Sequence, residues 1–228
     1  MDTGKGLFNI IRFSPDMRQY YPGNMPREEW MTNRHVRHDE VAIPLGASRY
    51  GGPVIDFPPG LDFPSDMRFA AQLDLAEFSP YDKSGLLPKS GQLLFFADIV
   101  KDRGKVIYKD LPNEELVRTI AEHEDNFFMG VLIDKIWPDT EVWDENYIEK
   151  FKAGSEFTGA EKSKVFGIFT HCQCDIEEIG SVAFSDKIVL LQVGENGFND
   201  EGVFSVLISE NDLAKKVFDN CEFFWAQS

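Results

Sequence analysis

The chain has 228 residues, of which 43% are hydrophobic and 27% charged, an ordinary globular composition, and a formal net charge of −16. At this length about 70–75% of the unfolded surface can be buried on folding, so neither a disulfide framework nor a structural metal is required. Residues 1–40 balance six basic against six acidic side chains, so the whole deficit falls on residues 41–228; such a body repels phosphate backbones and excludes a non-specific nucleic-acid binder.

Residues 1–44 read as an N-terminal arm, helical or irregular, packed on the body. "PREEWM" has a proline and two acids where a helix wants them in its first turn. The opening "MDTGKGLFNIIRFS" lacks a signal-peptide core, because its apolar pairs are broken by Asn9. No window reaches the roughly 18 apolar residues of a membrane span. With these features, three cysteines are expected to be reduced thiols in a cytoplasmic protein. Residues 44–68 are dense in proline and glycine, which excludes helix, and Gly51-Gly52 before Pro53 marks a sharp turn.

Strands are expected over 68–78 ("RFAAQLDLAEF"), 91–100 ("GQLLFFADIV") and 104–111 ("GKVIYKDL"). Residues 112–124 predict a helix, with Asn113 as N-cap and Leu116, Val117, Ile120 and Ala121 at helical spacing. A strand over 127–136 and a short polar helix or loop over 139–154 follow. Strands are then expected over 163–172, 187–194 and 202–209, and an amphipathic helix over 210–221. Twenty phenylalanines promise a large aromatic core.

"FAAQLDL" followed by "GQLLFFAD" recurs as "VLLQVGE" followed by "GVFSVLIS". Each copy has an apolar strand with a central glutamine, then an apolar strand led by glycine. A glutamine inside an apolar strand costs about 1–3 kcal/mol unless its amide is hydrogen-bonded. Gln72 and Gln192 are therefore expected to serve the scaffold at equivalent places. The fold class is α+β over residues 45–228: a mostly antiparallel sheet built from two similar β-rich halves, about 45–125 and 126–228, with a few short helices.

"HCQCD" gathers His171, Cys172, Cys174 and Asp175 into five residues. On a regular strand His171 and the two thiols fall on opposite faces, and no C-x₂-C pair supplies further ligands, so no metal is expected. Glu177 and Glu178 would raise a nearby thiol pKa, which disfavours a nucleophilic Cys172. "HVRHDE" (35–40) reads as an exposed polar turn. Neither a P-loop nor a dinucleotide-binding fingerprint is present, and no cofactor is expected.

The chain resembles the YwqG-like family, a bacterial group of unknown function. "SRYGGP" matches its basic-x-Gly-Gly turn, and "FAAQLDL" its apolar-Ala-Gln strand. "LLPKSGQLLFFAD" matches its Leu-Pro-x-x-Gly stretch. "LLQVGE" and "GVFSVLISENDLAKKVFDN" match its closing strands and helix, so the resemblance runs from about residue 48 to the C-terminus. "GIFTHCQCD" fits in length, with Gln173 and Asp175 at matching places. Phe169 replaces a preferred proline, and His171 and Cys172 fill places the family does not reserve. The resemblance implies a compact cytoplasmic α+β protein, with some relatives among toxin-immunity genes, and brings no catalytic residues. The expected function is a non-catalytic protein-binding module, immunity-type by that resemblance, that engages a basic protein partner through an acidic surface. The alternative is a small-ligand protein or enzyme with a pocket near Gly51 and Gly52. Its polar groups would be Arg49, Gln72, Gln173, Asp175 and Gln192. Oligomeric state is left open.

Overall fold

Continuous apolar runs form strands here because both faces of the sheet are covered. "QLLFFAD" shows it: Leu93 and Phe95 point to one hydrophobic cluster, Leu94 and Phe96 to another. The computed structural model describes residues 5–16, 42–128, 130–153, 159–195 and 202–227. In chain order the strands are β1 (Gly6–Asp16), β2 (Arg49–Tyr50), β3 (Val54–Phe57), β4 (Arg68–Asp74), β5 (Gln92–Asp98) and β6 (Arg103–Lys109). They continue as β7 (Val117–Ile120), β8 (Val131–Trp143), β9 (Lys164–Val165), β10 (Lys187–Val193), β11 (Gly202–Ser209) and β12 (Glu222–Gln227). The helices are α1 (Leu75–Phe78), α2 (Glu145–Lys152), α3 (Ile176–Ala183) and α4 (Glu210–Ala214). None is long and apolar enough to cross a membrane.

Ten strands form one antiparallel sheet in the order β12-β11-β10-β9-β1-β8-β2-β4-β5-β6. The sheet curls until its two ends meet, making a near-barrel. At the seam the Phe223 ring of β12 lies where a side chain on Gly104 of β6 would stand, and Lys216 Nζ sits 5.3 Å above the Tyr108 ring. Contact at this seam shields the two end strands, which do not pair with each other among the described residues. The interior holds Phe13, Tyr50, Phe95, Leu191, Phe204 and Phe223 among others. Outside, β3 and β7 pair as a small second sheet over Phe69, Leu94 and Phe96. On the other half, α2 and α3 cover Trp143, Ile168, Val189 and Leu207. Buried phenylalanines recur in all three layers, as their number promised.

The α+β class with a mostly antiparallel sheet and few short helices holds, and several local expectations are corrected. Within the segment expected as an arm, Gly6–Asp16 is β1, at the centre of the sheet and paired with β8 along its whole length. Its apolar residues lack a clean alternation because Phe8 packs outward while Ile11 and Phe13 pack inward. "PREEWM" and "HVRHDE" lie outside the described residues. The helix expected over 112–124 is instead a 3₁₀ turn, Asn113–Glu115, followed by β7. The β-branched Val117, Thr119 and Ile120 suit a strand, and pairing with β3 places Arg118 opposite Asp56. Of the strand expected over 163–172 only β9 remains, because Phe166 and Gly167 take positive φ (69° and 94°) and lead the chain out of the sheet. The last helix stops at Ala214, where Lys215 and Lys216 close the turn.

The two glutamine strands sit at one register. Arg49 of β2 pairs with Gln72, and Lys164 of β9 pairs with Gln192. Each short strand follows a serine whose Oγ accepts a main-chain N–H two residues beyond the glutamine: Asp74 N–H to Ser48 (2.9 Å) and Gly194 N–H to Ser163 (3.0 Å). Both glutamine strands also carry a bulge, between Phe69 and Ala71 and between Val189 and Leu191.

Candidate functional site

Two residues into β2, the chain must turn back under itself, and Gly51 and Gly52 supply the positive φ (62° and 85°) that this needs. The turn brings Asp56 of β3 beneath Arg49. Arg49 is 2% exposed and Asp56 0%, a burial tolerable only when every polar atom is matched. Arg49 Nη2 donates to Asp56 Oδ2 and to Gln72 Oε1, both at 2.8 Å, and Nε donates to the Val54 carbonyl at 2.8 Å. A second guanidinium completes the pairing: Arg118 reaches Asp56 Oδ1 at 2.7 Å and Oδ2 at 2.9 Å, and its Nη1 donates to the Ile43 carbonyl at 2.6 Å. Burial alone would raise the Asp56 carboxyl, but Arg49, Arg118 and the Gly46 N–H hold it below the usual carboxylate value.

Gln72 continues the network. Its amide donates to the Asp56 carbonyl (3.1 Å) and to Gln92 Oε1 (2.9 Å). Gln92 donates to Asn113 Oδ1 (2.8 Å), and Asn113 donates to Asp74 Oδ2 (2.7 Å). Ser48 Oγ, which accepts the Asp74 N–H, donates to Glu77. One chain of bonds, charge-assisted at Asp56, Asp74 and Glu77 and neutral between the amides, thus ties the 43–57 segment to β4, β5 and β7.

The second half holds a smaller cluster. Lys164 Nζ, 1% exposed, lies 2.6 Å from Glu141 Oε2 and donates to the Ile168 carbonyl at 2.7 Å. Glu141 also accepts the Ile168 N–H (2.8 Å) and a bond from Lys162 (3.1 Å). Burial would raise the Glu141 carboxyl, yet the two lysines hold it below its usual value. Gln192 donates to the Gly159 and Lys162 carbonyls (3.2 and 2.8 Å), while its buried Oε1 has no partner among the described residues.

The remaining candidates lie elsewhere. Gln173 is exposed and donates to the Gln227 carbonyl at 2.8 Å. Asp175 caps α3: its Oδ1 accepts the Glu177 and Glu178 N–H groups at 2.9 Å, and Glu178 answers by accepting the Asp175 N–H at 2.8 Å. Asp175→Ala is expected to lower stability by about 1 kcal/mol, read as a shift of the urea midpoint with unchanged slope. Arg49, Gly51, Gly52 and Gln72 therefore meet in one buried cluster, while Gln173, Asp175 and Gln192 do not join them.

Burial raises the Cys174 thiol and raises Cys221 to about 12, so both are protonated near neutrality. Burial lowers His171, which packs against Phe169 and Phe224. Among the described residues no group of three or more histidine, cysteine or acidic side chains is placed to hold a metal ion.

Sequence reasoning missed Asp56, Gln92, Asn113, Arg118, Glu141 and Lys164. One signal was available: "SKVFG" repeats the serine-cation-x-x-glycine spacing of "SRYGG". With Asp56 and Glu141 neutralised internally by Arg49, Arg118 and two lysines, the excess of acidic over basic side chains is carried by the rest of the chain. A family model described as "Domain of unknown function (DUF1963)" matches residues 48–226. No curated protein matches the chain.

Proposed function

The chain belongs to this domain family of unknown function, and we propose that it is a cytoplasmic, non-catalytic protein-binding module that engages a basic partner through its acidic surface. The carrying observation is the distribution of charge. The buried Asp56 and Glu141 are paired with Arg49, Arg118 and Lys164, so the acidic excess of the chain, −16 in all, does not come from these clusters. A field of that sign steers a cationic protein into contact. The alternative, a ligand site beside Gly51 and Gly52, would require Arg49 to leave Asp56, Gln72 and Val54, and no observation favours that exchange.

We also read the chain as YwqG-like and bacterial, of immunity type, and as a duplication of two related β units. The duplication is supported by the matched registers of Gln72 and Gln192, the matched serine bonds and the matched bulges. Capture of proteins from a lysate on the immobilised chain tests the binding reading. Retained proteins should be basic and should elute as salt rises from about 50 to 500 mM, where screening collapses the attraction. Partners held equally at both salt concentrations would overturn the electrostatic mechanism.

A further inference from the structure

β9 is only two residues long, and its exit leaves a slot in the sheet. Beyond Val165 the chain turns out at Phe166 and Gly167. The line it vacates runs between β1 and the start of β10. β1 pairs with β9 only at Ile11 and Arg12. Among the described residues no strand pairs with Gly6–Ile10 on the side away from β8. Phe13 donates its N–H to Ser163 on that side (3.1 Å). Alternation then aims the main-chain groups of Leu7 and Asn9 the same way, since the β1–β8 register is unbroken from Gly6 to Ser14. A cavity of about 270 Å³ occupies the place, lined by Leu7, Asn9, Phe166, Gly167, Lys187 and Ile188, with Tyr81 and Leu86 also against it.

The other half closes the corresponding gap. With Arg49 matched to Lys164, the partner of the first, Leu132, corresponds to the partner of the second, Arg12, and residues 127–128 correspond to 7–8. There Phe127 and Phe128 cross to β4, with the Phe128 N–H donating to the Phe69 carbonyl at 3.0 Å. Leu7 and Phe8 stay with β8 instead, and Leu7 is 68% exposed.

We propose that this slot binds an extended, net-basic peptide segment of a partner protein, which continues the line of β9 and adds a strand against Leu7 and Asn9. Main-chain hydrogen bonds along such an edge supply affinity, and alternate side chains supply specificity. The rim sets the sign. Asp82, Asp186 and Glu210 line it against Lys83, because Lys187 is already paired with Glu222. The inference rests on the acidic-surface reading and gives it a location.

The probe is an acetylated, amidated and fluorescein-labelled heptapeptide, Lys-Val-Lys-Thr-Lys-Val-Lys, added to the full chain. Anisotropy should show saturable binding, at least about tenfold tighter than for the same peptide with glutamate in place of lysine. Binding should slow amide exchange at Leu7 and Asn9 by at least about tenfold. Asn9→Pro removes one slot-facing N–H and no bond to β8, so it should weaken the peptide by about tenfold with β1–β8 amides still protected. If that variant fails to fold, exchange in the unaltered chain decides alone. Unchanged exchange at Leu7 and Asn9 on peptide addition would overturn the proposal. So would slow exchange there in the free monomer, which means the chain's own segment fills the slot, or protection that vanishes on dilution, which means a second copy does. Salt-sensitive capture of basic proteins alongside a peptide that does not bind would sink the slot and leave the acidic-surface reading standing.

Discussion

Replacing Arg49 by alanine is expected to cost about 3–5 kcal/mol of folding free energy, the usual consequence of stranding one member of a buried ion pair. Asp56 is 0% exposed and would keep one cationic partner, Arg118, beside the Gly46 N–H. Gln72 would lose its shortest acceptor contact, and the Val54 carbonyl its donor. Urea unfolding followed by tryptophan fluorescence reads the loss as a lower midpoint with the slope retained. Arg49→Lys should recover only a part, since one ammonium cannot span Val54, Asp56 and Gln72 as the planar fork does. Stability within about 0.5 kcal/mol of the unaltered chain for Arg49→Ala would mean that the network is ornamental.

The strands were legible where one cause acted alone. β4, β5, β10 and β11 are apolar on both faces, so their runs read as strands without any knowledge of their neighbours. β7 was not legible. Leu116, Val117, Ile120 and Ala121 fit a helical face equally well, and what decides is β3, whose register sets Arg118 against Asp56. β1 was hidden for a related reason. Arg12 and Asn9 interrupt its apolar residues, and only pairing with the long strand β8 makes a strand of them. The two glutamines were readable as scaffold because a buried amide seeks partners, a demand that Gln72 meets with both ends and Gln192 with its NH₂ alone. Which partners it finds was not readable. Gln72 meets the guanidinium of its register partner Arg49, whereas Gln192 meets two carbonyls, and an ion pair between strands far apart in sequence leaves no local trace.

The second large effect concerns Glu141 and its dependence on pH. Glu141→Gln leaves Lys164 buried with a neutral neighbour, at an expected cost of about 3–5 kcal/mol near pH 7. Glu141→Leu combined with Lys164→Met should return most of that loss, because removing both charges removes the stranded one. In the unaltered chain Glu141 and Asp56 have folded pKa values below their ordinary 4.5 and 3.8. As pH falls through that window the unfolded chain takes up protons first. Their contribution is therefore complete above the ordinary values and is lost as pH drops through the folded ones. The urea midpoint should accordingly fall between about pH 5 and pH 2, and less steeply in the double variant, which lacks one of the two carboxylates. Burial lowers the Lys164 ammonium even beside Glu141, so an opposite limb is already present, and Glu141→Gln alone should steepen it. A buried lysine without its carboxylate sheds its proton on folding, so stability should climb as pH rises toward the ordinary lysine value of about 10.4. A flat alkaline limb in that variant would show that Lys164 reaches water when its partner is gone, and that the second cluster is held by packing rather than by charge.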